Sequence, residues 1–172
     1  MENTKAVYLN REVRLNHWLE TYSEALLQTC VYMLPDRAQA EDAVQDTLIK
    51  AWRYLGKRKE NSIVNERAWL MRIAINTCKD YLRTGWFQHV DRSRPDETIP
   101  PKMLSIDPEE PMITFLVKEL PAKYRQVVLL HYFQGMTQQE IAEMLKLSIS
   151  TVNRNLRKAE VLIREKLEEA QS

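Results

Sequence analysis

Glycine is scarce in this chain, with three among 172 residues. Tight hairpin turns and phosphate-cradling loops consume glycine, so a hairpin-rich fold and a P-loop are both disfavoured. Cysteine is scarce as well. Cys30 and Cys78 are far apart and form no C-x-x-C pair. That excludes a disulfide scaffold and a zinc ribbon and leaves two small buried apolar residues. The three histidines, His17, His89 and His131, show no metal-ligand spacing and accompany no nucleophile–base motif. No metal, cofactor, catalytic residue or small-molecule substrate is expected. No run approaches the ~20 apolar residues of a membrane span. The first residues, with Glu2, Lys5, Arg11, Glu12 and Arg14, lack the apolar centre of a secretory signal. A soluble, intracellular protein is the expectation. Neither sign of charge dominates: the net charge is +1. Positive charge gathered on one face can still bind nucleic acid.

What the chain does have is helix-forming composition, rich in alanine, leucine, glutamate, lysine and arginine, with 44% hydrophobic and 28% charged residues. Five of the seven prolines (Pro95, Pro100, Pro101, Pro108 and Pro111) fall within one stretch. Proline interrupts helices and restricts the residue before it. The reading is all-α: two small helical domains, residues 1–83 and 109–172, joined by a flexible proline-containing linker at 84–108, the second a helix-turn-helix.

In the first domain, helices are predicted over about 11–34, 37–55 and 65–83. The second has Ala40, Ala43, Val44, Thr47, Leu48, Ala51, Trp52 and Leu55 at the spacing of one helical face. The third has Asn65 as its N-cap and Met71, Ile75, Cys78 and Leu82 as its inner stripe. In the second domain, a helix over about 109–120 stops at Pro121, and another runs from Pro121 to Phe133 and is closed by Gly135. T-Q-Q-E at 137–140 is a capping box. It opens a short helix with Ile141, Ala142 and Leu145 inward. Ser148 caps a last helix to about Glu168.

Three surfaces carry candidate chemistry. Residues 137–159 have helix-turn-helix spacing, with Ala142 where the helices cross and Val152 and Leu156 inward. Lys146, Thr151, Asn153, Arg154, Arg157 and Lys158 are the candidate contacts to duplex DNA; arginine and lysine suit guanine edges and phosphates, and asparagine suits adenine. A solvated helix face is the bland alternative, which two capped helices at this spacing make the weaker one. Lys146 stands where such turns often have glycine, because the backbone there tends to be left-handed. A side chain costs on the order of 1 kcal/mol in that conformation. The second surface opposes the inner stripe of residues 37–55: Glu41, Asp42, Gln45, Asp46 and Ile49. An acidic face with an isoleucine at helical spacing reads as a docking surface for a basic protein, or as an ordinary wet face. The third is Arg72, Asn76, Lys79 and Arg83, which recur at spacings of four, three and four. With Asn61 and Ser62 in the preceding loop and Tyr54, Trp69 and Tyr81 nearby, this face suits single-stranded DNA. Each aromatic taken singly reads as core.

In this order, the segments resemble the extracytoplasmic-function sigma factors of bacterial RNA polymerase. A-E-D-A-V-Q-D-T-L-I-K-A-W (40–52) is similar to the family's polymerase-binding helix, and A-W-L-M-R-I-A-I-N-T-C-K-D-Y-L-R (68–83) to its minus-ten helix. L-P-A-K-Y-R-Q-V-V-L-L-H-Y-F-Q-G-M-T-Q-Q-E-I-A-E-M-L (120–145) with S-I-S-T-V-N-R-N-L-R-K-A (148–159) is similar to its minus-thirty-five domain. The resemblance implies a sigma factor, not an enzyme, that directs core polymerase to promoters. Glu41, Asp42, Gln45, Asp46 and Ile49 would meet core RNA polymerase, with the clamp helices of its largest subunit and its flap as contacts. Asn61, Ser62, Arg72, Asn76, Lys79 and Arg83 would meet the minus-ten element. Lys146, Thr151, Asn153, Arg154, Arg157 and Lys158 would meet the minus-thirty-five element. It also implies an anti-sigma partner and a cytoplasmic location, including retention at the inner membrane face. The alternative is a stand-alone helix-turn-helix regulator, which would bind its operator without polymerase.

Overall fold

The computed structural model describes residues 2–56, 63–89 and 111–172, with side chains described for 10–56, 63–84 and 111–172. These residues form helices and no strand. The first half has α1 (Glu2–Met33), α2 (Arg37–Leu55) and α3 (Glu66–His89). The second has α4 (Met112–Lys118), α5 (Ala122–Val128) running into a π-helical turn (Leu129–Phe133), α6 (Gln138–Leu145) and α7 (Ile149–Gln171).

Local chemistry sets most helix starts. Asp36 accepts from the Gln39 amide at 2.8 Å and begins α2, and Asn65 accepts from the Ala68 amide at 3.0 Å ahead of α3. The stripe expected on α2 is mostly inward: Ala40, Ala43, Thr47, Leu48, Ala51 and Leu55 are buried, while Val44 and Trp52 at its edges are half-buried. On α3, Leu70, Met71, Ala74, Ile75 and Cys78 face the core, while Leu82 is half-buried. Trp18 of α1, fully buried, packs its ring 5.6 Å from that of Trp69. Cys30 and Cys78 are both buried, as two small apolar residues would be. Hydrogen bonding to Cys30, together with burial, pushes the Cys78 thiol well up, which keeps it protonated and unreactive.

Three boundaries differ from the sequence reading. α1 begins at Glu2, well before residue 11. Its first turns carry no apolar stripe at helical spacing, so periodicity does not mark them. α3 continues to His89, so the first residues assigned to the linker, 84–89, are helical. Thr84 Oγ1 donates back to the Asp80 and Tyr81 carbonyls, and no proline intervenes before Pro95. The rest of the expected linker, with four of its prolines, lies outside the described residues. Third, the helix expected to run to Phe133 widens after Val128. The amides of Gln134 and Met136 reach the Leu129 and Leu130 carbonyls. This turn re-aims Phe133 and Gln134 before Gly135, at φ +65, ends the helix.

The two halves share one apolar core. Tyr32 of α1 stacks against Phe133 with centroids 4.4 Å apart and accepts from Thr114 Oγ1 at 3.1 Å. Buried Gln134 donates to Gln28 Oε1 at 3.0 Å. Its backbone carbonyl and its side chain both accept from the Arg67 guanidinium. Arg125, fully buried, donates to the Lys118 carbonyl at 2.6 Å and so satisfies the open end of α4. Lys166 pairs with Glu119 at 2.6 Å and fixes α7 against the same corner.

Candidate nucleic-acid and polymerase interfaces

The helix-turn-helix is built from its caps. Thr137 Oγ1 accepts from the Glu140 amide at 3.2 Å, and Glu140 accepts from the Thr137 amide at 2.8 Å. That backbone bond holds the Glu140 carboxyl below its ordinary range. α6 ends at Lys146, which adopts the left-handed conformation at φ 56, ψ 45, as the missing glycine implied. Ser148 then accepts from the Thr151 amide at 3.1 Å and starts α7. Ala142, Val152, Leu156 and Ala159 are buried between the helices.

On the opposite side of α7, Arg154, Arg157 and Lys158 are exposed, and so is Lys146 at the turn. Asn153 and Thr151 are half-buried. Asn153 donates to Gln138 Oε1 at 3.3 Å, and the Thr151 hydroxyl lies 2.8 Å from that of Ser148. These two therefore meet DNA only by exchanging partners. Asn155 is buried and faces away from the cationic side.

The candidate single-strand face is placed differently. Arg72 and Lys79 are half-buried, and Asn76 is exposed. All three line a cleft of about 160 Å³, with Ile75 on their side and Met144, Leu145 and Lys146 of the helix-turn-helix on the other. Arg83 stands at the exposed end of the face and pairs with Asp80 of its own helix. Asn61 and Ser62 lie outside the described residues. The aromatics near this face are engaged within the protein. Trp69 packs on Trp18 and Tyr54, and the Tyr81 phenol donates to Asp46 Oδ2 at 2.7 Å.

The acidic face of α2 is mostly open. Asp42 and Gln45 are exposed, and Glu41 pairs with Arg37 at 2.9 Å on the surface of its own helix. Asp46 is half-buried under Tyr81. Ile49, 45% exposed, borders an apolar groove of about 440 Å³ that α1 completes with Leu15 and Leu19. Leu48 and Trp52 line it, with Gln45 and Arg53. Sequence reading missed this groove. Its signal was the i, i+4 pair Leu15 and Leu19, interpretable only once α1 and α2 are known to be neighbours. Arg67 and Gln134 were missed as well, because nothing local marks two polar residues as partners across 67 positions. No helix among the described residues is long and apolar enough to cross a membrane.

Comparison with known proteins agrees with this arrangement. The Sigma-70 region 2 family model matches residues 18–95, and the Sigma-70, region 4 model matches residues 112–163. The chain is 30% identical to an RNA polymerase sigma-E factor of Streptomyces antibioticus, over 87% of this chain and 82% of that one. It is 29% identical to the ECF RNA polymerase sigma factor SigL of Mycobacterium tuberculosis, over 87% and 86%. Among solved structures, CnrH in complex with the cytosolic domain of CnrY aligns with a TM-score of 0.67 at 23% identity, covering 94% of this chain and 91% of that one. The sigma factor RpoE of Bartonella quintana, solved with the anti-sigma factor NepR, aligns with the same TM-score and identity, covering 89% and 96%. The chain belongs to the sigma-70 family of RNA polymerase sigma factors, in its extracytoplasmic-function group.

Proposed function

We propose how this alternative sigma factor divides its work along the chain. Residues 1–83 bind core polymerase and capture the minus-ten element, 84–108 connect, and 109–172 grip the minus-thirty-five element. The protein makes and breaks no bonds itself. Asp42, Gln45, Asp46 and Ile49, with Glu41 at their edge, dock on the largest subunit's clamp helices. Arg154, Arg157 and Lys158 hold the upstream duplex, with Lys146, Thr151 and Asn153 beside them. Arg72, Asn76, Lys79 and Arg83, with the Asn61–Ser62 loop, hold an extruded base and the opened strand. Unpairing costs a few kcal/mol, which stacking and pocket contacts offset.

The observation that carries this reading is the pairing of an exposed cationic face on α7 with an exposed acidic face on α2, at opposite ends of one chain. The first suits phosphates and base edges, and the second suits a basic protein. A stand-alone regulator would have no use for the second. The end of α6 and the turn at Lys146 stand over Arg72, Asn76 and Lys79, so strand capture in this reading moves the helix-turn-helix off α3. An anti-sigma protein that stabilised the closed arrangement would silence the chain while leaving it folded. The RpoE structure solved with the anti-sigma factor NepR supports this role, and a cytoplasmic location, including retention at the membrane's inner face, would accord with it. Run-off transcription with core polymerase, with and without the protein, tests the reading. Promoter-specific transcripts are expected only with it. A protein that binds duplex DNA equally well and yields no transcript at any promoter from a random library would refute it.

A further inference from the structure

The acidic face of α2 and the cationic face of α3 are joined by polar struts. The Tyr81 phenol of α3 donates to Asp46 Oδ2 of α2 at 2.7 Å. One turn along each helix, Lys50 Nζ donates to Thr77 Oγ1 at 3.0 Å and lies 3.7 Å from Asp80. Burial, with Asp46 and Asp42 beside it, pushes the Tyr81 phenol up to about 12, so it remains a donor throughout the physiological range. Asp46 differs in this from Asp42 and Glu41, which are exposed on the same face. Its carboxylate is held by one oxygen from the side, and the other oxygen is left for a partner. An exposed aspartate must be ordered when it docks, which lowers affinity. Asp46 is already held by one bond before docking.

We propose that Tyr81 is a positioning residue for polymerase binding: it presets the Asp46 carboxylate and ties the docking face to the helix that carries the minus-ten residues. The inference rests on the reading of Asp46 as a polymerase contact. In this proposal the phenol itself makes no polymerase contact. It acts through Asp46, and through the rigid α2–α3 pair it fixes where Arg72, Asn76 and Lys79 stand relative to the clamp.

The test is a double-mutant cycle with the full chain, in which dissociation constants for core polymerase are measured for wild type, Tyr81→Phe, Asp46→Ala and the double variant. Asp46→Ala should weaken binding at least about tenfold. Tyr81→Phe should weaken it about fivefold, because the freed carboxylate must then be ordered on docking. In the Asp46→Ala background, Tyr81→Phe should have no further effect. A general disturbance of the fold would instead weaken binding equally in both backgrounds, and that result would overturn the proposal. So would normal affinity of Tyr81→Phe beside a defective Asp46→Ala. If Asp46→Ala itself binds normally, the docking assignment of Asp46 fails, and the role of Tyr81 falls with it. High salt separates the cases further, because the fivefold loss should shrink as the Asp46 contact is screened, whereas a packing defect would not respond.

Discussion

The two faces proposed to read DNA are presented in opposite ways. On α7, Arg154, Arg157 and Lys158 stand in solvent on a helix whose other side is buried. On α3, Arg72, Asn76 and Lys79 lie in a narrow cleft under the end of α6 and the turn at Lys146. In the proposed reading, the difference follows from what each face would hold. Duplex DNA would meet a convex helix that needs no rearrangement, and local capping suffices to build it. An opened strand would be enclosed, and the element over α3 in this structure is the helix-turn-helix half. Lys146 belongs to both settings, as the left-handed residue of the turn and as a wall of the cleft.

The largest expected effect breaks the comparison at its structural root. Leu156→Ala empties a buried position between α6 and α7. It should lower stability by about 2–5 kcal/mol in chemical denaturation. Arg157→Ala, on the exposed side of the same helix, should change stability by less than about 0.5 kcal/mol. Arg157→Ala should instead weaken promoter binding and reduce the slope of log affinity against log salt by about one, as measured by binding titrations. An unchanged affinity at every salt concentration would remove Arg157 from the interface. The covered face should respond to a change that α7 ignores. Arg67→Ala removes the two hydrogen bonds to Gln134 that cross between the halves. Single-stranded minus-ten affinity of the free chain should rise a few-fold as the competent fraction grows. Duplex minus-thirty-five affinity should stay the same.

The smallest effect is a pH dependence at a helix cap, and it sharpens the account of the open face. Thr137→Ala deletes half of the capping box and should cost about 1 kcal/mol. The Glu140 carboxyl is held low in the folded chain. Its contribution is therefore present above the carboxyl's unfolded value and is lost as pH falls through the lower folded one. The gap between wild type and Thr137→Ala should accordingly narrow in acid, as read by thermal unfolding across the pH range.

The open face was largely legible in the sequence, and the covering of the other was not. Thr137, Glu140 and Ser148 act on amides three residues away, so their geometry is written into their spacing. The left-handed Lys146 was readable for the same reason. The α2 stripe and its acidic reverse side follow from periodicity alone. By contrast, the seam formed by Tyr32, Phe133, Gln134 and Arg67 depends on which helix surfaces meet, and no local pattern encodes that. The π-helical turn that aims Gln134 has no distinctive residue in it. Tyr81 looked like core or a stacking ring, and only the α2–α3 register reveals its bond to Asp46. The helical stretch 84–89 was hidden because composition marks a linker before it marks a helix end.

The proposed separation of the halves is the step on which the two faces would differ, and energy transfer measures it directly. With a donor on exposed Arg53 of α2 and an acceptor on exposed Glu168 of α7, the free chain should show a single transfer population, which low transfer would replace on opening. Adding core polymerase and promoter should convert it to low transfer, together with reactivity of the opened minus-ten strand. An opened promoter with transfer unchanged from the free chain would contradict the account, because α3 would then be holding a strand with the helix-turn-helix still over it.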